Sequence, residues 1–223
     1  MTGEPRAVLV PGTLCDAALW AGVALPKGAC LLDMVRGDSL PEAAARVLAT
    51  LPTGGRVHLV GFSLGAIVAF EVLRRAPERL ARLTLLGANP HAPTPLQLET
   101  WAAHERQVRA GHFGEVAEAL AGGAGPNRGA VLEMARRVGP EVYLEQLGLL
   151  RSRPDSRADV ARFTGPLTLL VGAEDTVTPP RLAEDLRSFA PHASVRIVPE
   201  AGHYLPLDAP DAVSDTLNTV AHA

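Results

Sequence analysis

The pentapeptide Gly61-Phe62-Ser63-Leu64-Gly65 sets one hydroxyl between two residues that lack side chains. It follows the apolar run Val57–Val60 and opens a helical pattern over Leu64–Arg75. That strand–turn–helix setting is where a serine can serve as a nucleophile raised into a cleft. The flanking glycines relieve crowding as the strand turns sharply into the helix. The serine backbone is expected to be strained, and the helix start aims N–H groups and its positive dipole end at the hydroxyl. The plain alternative is a glycine-rich helix start with Ser63 as a capping residue. The spacing is not G-x-G-x-x-G, so no dinucleotide fingerprint is present.

A serine hydroxyl is a weak nucleophile. It needs a base, and the base needs an orienting acid. In a strand–turn–helix setting the expected chain order is serine, acid, histidine. Asp175 closes the segment Gly172-Ala173-Glu174-Asp175 after an apolar run, and His203 follows Gly202 after the last such run. Both then emerge at the sheet edge that carries Ser63, where open α/β sheets bind ligands. Glu174 is the rival acid in the same loop. Asp175 as a turn or capping residue before Pro180, and His203 as an idle loop histidine, are the plain alternatives. His58 falls inside a strand, and His104 and His112 fall in or beside a helical region; none has the placement of His203.

Acyl transfer also needs backbone N–H donors aimed at the developing oxyanion. Leu64, next to the serine, supplies one. The second is expected from the loop Val10–Asp16, with Thr13 first and Leu14 in reserve; the plain reading of that loop is an ordinary Pro-Gly turn. Gly12 allows the backbone to come close. Cys15 lies beside this loop and reads as a small buried filler.

The elements that position these groups follow an alternating pattern. Strands are expected near Ala7–Val10, Cys30–Val35, Val57–Val60, Leu83–Leu86, Leu167–Val171 and Val195–Val198. Helical patterns fall at Asp16–Val23, Pro41–Leu51, Leu64–Arg75, Pro180–Phe189 and Asp208–Val220. Such alternation predicts a parallel sheet with helices on both faces. The rhythm breaks over 91–160, where only helical patterns occur, at Pro95–Ala110, Gly114–Leu120, Arg128–Val138 and Pro140–Leu150, with Ala121–Gly129 as a flexible loop. Breaker-rich stretches bracket that segment. It is expected to be a lid over the carboxyl edge of a core formed by 1–90 and 161–223. Candidate substrate-wall residues are Trp101, Phe113, Met134, Tyr143 and Leu147, with Phe62 beside the serine; packing within the helices is the plain reading of each.

Composition narrows the classes. The 223 residues suffice for one full core and are short for two domains. A formal net charge of −3 gives no basic face for nucleic acid. The apolar runs are far shorter than the ~20 residues of a membrane span, and the N-terminus lacks the pattern of a signal peptide. The two cysteines make neither a disulfide framework nor a metal site. The expectation is a cytoplasmic protein with a small-molecule acyl substrate, no nucleic-acid or membrane partner, and no metal or organic cofactor. Oligomeric state is not legible.

The blocks Leu9–Trp20, Val57–Gly87, Leu167–Pro180 and Val198–Val213 together resemble the α/β-hydrolase superfamily, and within it the small capped serine hydrolases. These include pimeloyl-carrier-protein methyl esterases, enol-lactone hydrolases and proline iminopeptidase-like proteins. The resemblance implies Ser63 as nucleophile, Asp175 as acid, His203 as base, and the Thr13 and Leu64 amides as oxyanion donors. Pro11-Gly12 stands where the superfamily usually has His-Gly. The superfamily's N-terminal hairpin finds no counterpart before Ala7, so about six parallel strands in the order 2-1-3-4-5-6 are expected. A serine nucleophile implies cleavage of a small carboxylic ester or thioester by an acyl-enzyme route. A lactonase or aminopeptidase on the same triad is the alternative. A non-catalytic binding protein on this fold is the alternative of another class.

Overall fold

A computed structural model describes residues 5–52 and 54–219. Six strands form one parallel sheet: β1 (Ala7–Val10), β2 (Cys30–Leu31), β3 (Val57–Phe62), β4 (Leu80–Leu86), β5 (Leu167–Gly172) and β6 (Ser194–Val198). Their order is β2-β1-β3-β4-β5-β6, as the resemblance to the α/β-hydrolase superfamily implies. Every residue of β1 and β3 is buried. A strand buried throughout must be covered on both faces, which is why β1 is wholly aliphatic and β3, with His58 its one polar residue, does not alternate polar with apolar.

The connections are helical. They are α1 (Leu40–Thr50), α2 (Leu64–Arg75), α3 (Pro95–Arg109), α4 (Phe113–Ala121), α5 (Arg128–Ser152), α6 (Arg157–Ala161), α7 (Pro180–Phe189), α8 (Leu205–Asp208) and α9 (Pro210–Asn218). Local chemistry sets their starts. Ser39 caps α1 by accepting the Glu42 N–H, with Pro41 in the first turn. Thr94 and Gln97 form a reciprocal capping box on α3. From Leu64 to Leu73 every residue of α2 is buried, so this helix is a central wall rather than a surface element.

Several expected elements differ. The edge strand β2 ends at Leu31 instead of Val35: the Leu32 N–H still reaches Leu9 O, but the Val35 carbonyl is taken by the Gln146 side chain. The expected helix Asp16–Val23 is a single 3-10 turn, Ala17–Trp20, capped by Asp16. The expected flexible loop Ala121–Gly129 contains a 3-10 turn over Gly122–Asn127. The expected last helix splits at Ala209, whose φ of −143° is not helical, into α8 and α9; Val220 lies outside the described residues. The predicted break before Pro140 is present as a kink in α5 at Gly139 (φ 78°). α6 was not anticipated, because five residues carry too little periodicity.

Helices α3 to α6 all fall between β4 and β5, which pair directly through Leu83–Leu167 to Leu86–Leu170. The helical stretch is therefore an excursion from an intact sheet. Among the described residues no helix is long and apolar enough to cross a membrane. Cys15 and Cys30 are both free thiols.

Candidate active site

The sheet fixes the height of Ser63. Its N–H extends the β3–β4 ladder by bonding Leu86 O at 2.9 Å, and then the chain turns at φ 52°, ψ −111° into α2. That backbone region is costly for a residue with a Cβ. Both glycines of the pentapeptide are required by close packing. A Cβ on Gly61 would stand 2.5 Å from Gly65 O, and one on Gly65 2.2 Å from Val10 O. Gly12 is constrained by the same crowding, since its Cβ would meet the Phe62 ring at 2.8 Å.

The three residues predicted to act together converge. Ser63 Oγ lies 3.1 Å from His203 Nε2, and His203 Nδ1 lies 2.8 Å from Asp175 Oδ2. Asp175 can only accept as a carboxylate, so Nδ1 carries the hydrogen and Nε2 is left to receive the Ser63 proton. Asp175 is held from all sides. Its Oδ1 accepts the Val177 and Thr178 N–H groups at 2.8 Å each, and its Oδ2 also accepts the Thr178 hydroxyl at 2.7 Å. Burial pushes this carboxyl upward; the His203 hydrogen bond and charge, with the Thr178 donors, outweigh burial and hold it below its ordinary value. The Asp175 side chain has no exposed surface and that of His203 is 10% exposed. Phe62 packs against the His203 ring at 5.1 Å between centroids. Glu174, the rival acid, is exposed, and the His203 ring turns to Asp175 instead.

Of the two oxyanion-loop amides, the structure distinguishes one. The Leu14 N–H is bonded to Gln146 Oε1 at 2.9 Å, while the Thr13 N–H makes no hydrogen bond among the described residues. Leu14 takes φ 54° to make that turn. The Leu64 N–H stands in the first turn of α2, where no intrahelical acceptor exists. Cys15 is fully buried, and burial, followed by the charge of Asp16, pushes its thiol up to about 12, so it stays an uncharged filler.

These groups open onto a cavity of about 210 Å³ lined by Ser63, Thr13 and His203 on the sheet side. Residues of α3, α4 and α5 form the opposite wall. Phe62, Trp101 and Tyr143 line it, as expected of them. Phe113, Met134 and Leu147 do not: Phe113 packs on Tyr143 at 6.1 Å between ring centroids, and Met134 and Leu147, 1% and 0% exposed, pack in the core. Eleven positions of α5 are buried, more than one stripe, and helical spacing alone does not separate the cavity-facing row containing Val131 and Ala135 from the core-facing ones. Four contributors went unanticipated. Thr178 braces the acid. Gly87 (φ 54°) leaves room for His203, whose Cε1 would lie 3.2 Å from a Cβ there. Gln146 braces the oxyanion loop, and Arg153 lines the cavity. The Thr178 signal was present as a hydroxyl three residues after the acid; the other three depend on packing.

The comparisons agree with this fold. Residues 7–216 match the model of the alpha/beta hydrolase family. A biotin biosynthesis bifunctional protein of Cellvibrio japonicus is 27% identical over 99% of the chain, which spans about half of that relative's length (49%). A pimeloyl-[acyl-carrier protein] methyl ester esterase of Nitrosomonas europaea is 25% identical, covering 89% of this chain and 88% of its own. Among solved structures, the enol-lactonase from Burkholderia xenovorans LB400 superposes with a TM-score of 0.82 at 18% identity, over 96% of this chain and 90% of that one.

Proposed function

The chain is an enzyme of the alpha/beta hydrolase family, to which it belongs over nearly its whole length, and from that premise we propose that it hydrolyses a small carboxylic ester or thioester through an acyl-enzyme on Ser63. The observation that carries the reading is the unbroken chain of hydrogen bonds from Ser63 through His203 to Asp175 at the floor of a cavity.

The Ser63 oxygen attacks the substrate carbonyl carbon as His203 Nε2 takes the hydroxyl proton. The charge that develops on the carbonyl oxygen is received by the Thr13 and Leu64 N–H groups. His203 then gives its proton to the departing alkoxide or thiolate, leaving Ser63 acylated. Water enters, loses a proton to His203, and attacks the acyl carbon; the carboxylic acid departs as Ser63 regains its hydrogen. Asp175 keeps the imidazole in the tautomer both half-reactions need and offsets its transient positive charge. The helices of 91–160 act as the lid that encloses and selects the acyl group.

Ser63→Ala tests the reading. Hydrolysis of a p-nitrophenyl acyl ester should fall by about 10³-fold or more, with the circular dichroism spectrum unchanged. A fluorophosphonate should label the native protein and not the variant. A variant that still turns over the ester, or a native protein that the probe leaves untouched, defeats the proposal; the second result would favour a non-catalytic binding protein. Parallel rates on esters, thioesters, lactones and aminoacyl amides rank the substrate classes.

A further inference from the structure

Arg153 lies just past the end of α5, 5% exposed, on the wall of the Ser63 cavity. Its side chain is fixed on three sides. Nε donates to His91 O at 2.8 Å, Nη2 donates to Gln97 Oε1 at 2.9 Å, and the guanidinium lies over the Trp101 ring at 5.2 Å. All three partners are neutral. Gln97 Oε1 is also held by the Thr94 N–H of the capping box, so its orientation is set by the helix start. No carboxylate lies within ion-pair distance of Arg153 among the described residues. Nη1 has no protein partner there either. Among the described residues Glu174 is the one carboxylate on the cavity wall, and it is exposed to solvent.

The neighbouring arginines are treated differently. Arg151, two residues earlier and less buried, pairs with Glu105, and Arg74 pairs with both Asp159 and Glu71. A guanidinium stripped of water and left without a counter-charge is costly, and buried charges are ordinarily paired. Burial pulls Arg153 down to about 10, which leaves it a cation at neutral pH. The rest of the wall is largely apolar, through Phe62, Ile67, Leu120 and Val131, so the missing charge is not supplied by protein. A planar fork with a free N–H edge, rigidly held over an aromatic ring, matches a carboxylate.

We propose that Arg153 binds a carboxylate carried by the substrate itself, so that the ester or thioester cleaved at Ser63 belongs to a half-ester of a dicarboxylic acid or a similar acyl chain with an anionic far end. This specificity rests on the Ser63 reading and adds to it. The acyl chain would lie against Phe62, Ile67, Leu120 and Val131, which line the same cavity as Ser63 and Arg153. A neutral acyl group of the same length fills the same space and leaves the guanidinium unpaired, the kind of mismatch that discriminates strongly because a buried polar group loses its partner.

The test compares mono-p-nitrophenyl esters of succinic, glutaric, adipic and pimelic acids with neutral p-nitrophenyl esters of matched length. The native enzyme should favour the best anionic ester at least about 10-fold in kcat/KM. Arg153→Met should lower that value by about 10- to 100-fold, mainly through KM, and lower the neutral ester's far less, so that the preference for the anionic ester is lost. Arg153→Lys should fall between. Should Arg153→Met fail to fold, the native enzyme still decides: free glutarate or adipate should compete with the neutral ester, and an uncharged diol of equal length should not. Equal or better use of neutral esters by the native enzyme overturns the proposal. So does an equal loss on both substrates in a folded Arg153→Met, which would make the arginine only a brace between His91 and α3. Turnover of both ester types that survives in Ser63→Ala is a separate result and refutes the nucleophile, not the carboxylate site.

Discussion

Gln146 Oε1 accepts the Leu14 N–H at 2.9 Å, joining α5, which contributes to the cavity lining, to the loop that follows β1. The same amide donates through Nε2 to Val35 O at 3.0 Å, so one wholly buried side chain satisfies two backbone groups from two different core segments. Leu14, at φ 54°, sits in a conformation that the bond helps to hold. The consequence is that the Leu14 amide is occupied, while the Thr13 N–H, in a residue that lines the same cavity as Ser63, makes no hydrogen bond among the described residues. Arg137 reinforces the link by pairing with Asp16, two residues further along the loop, at 2.5 Å.

Gln146→Leu should therefore act on the reaction from a distance. The buried Leu14 N–H and Val35 carbonyl lose their partner, at a cost of about 1–3 kcal/mol each, visible as a lower midpoint in urea. Loosening the oxyanion loop should lower kcat about 10-fold while KM on the same p-nitrophenyl ester moves little. A variant that is less stable with kcat intact would assign Gln146 to packing alone.

The two acids of the post-β5 loop should separate cleanly. Asp175→Asn replaces the acceptor of His203 Nδ1–H with a group that can also donate, which favours the wrong imidazole tautomer; kcat should fall by about 10³- to 10⁴-fold. Glu174→Gln, at an exposed side chain outside the hydrogen-bond chain, should stay within about twofold of native. Kinetics of the two variants at one pH checks both, and the reverse ranking would move the acid to Glu174.

Acid stability should report His58. This strand residue is buried, with Nε2 2.8 Å from Thr84 Oγ1, and burial, followed by the Arg82 charge, lowers it from 6.5 to about 3. A histidine depressed in the folded state is neutral there while its unfolded counterpart takes a proton. The unfolded state thus binds more protons below pH 6.5, and stability is lost as pH falls from 6.5 toward 3. The slope from this one group reaches about 1.4 kcal/mol per pH unit. The lowered Asp175 contributes in the same direction, but only as pH falls below the ordinary carboxylate range and through its own folded value. Urea titrations between pH 7 and 4.5 should show the His58 slope, and His58→Gln should remove about one proton's worth of it. An unchanged slope in that variant would place the titration elsewhere.

The sequence by itself marked Ser63, Asp175 and His203 as side chains that meet at one sheet edge, because each placement rests on a local rule, and the family resemblance it carries supplied the six-strand order. A strand that must turn into a helix between packed backbones admits only glycine at 61 and 65. Loops that follow parallel strands all open at one edge, so residues far apart in the chain meet there without any further information. Thr13 and Leu64, the proposed oxyanion donors, lie in the loop after β1 and the turn after β3. What the chain's periodicity could not supply was the inner face of the helical excursion. Met134 and Leu147 share their spacing with cavity-lining residues and are nonetheless core. Gln146 and Arg153 carry no local signature, since what makes them matter is a carbonyl, an amide or an empty space contributed by segments remote in sequence. Only the packed tertiary structure decides which buried polar groups find partners and which one is left facing the cavity, and that balance is a matter of desolvation that no run of neighbouring residues encodes.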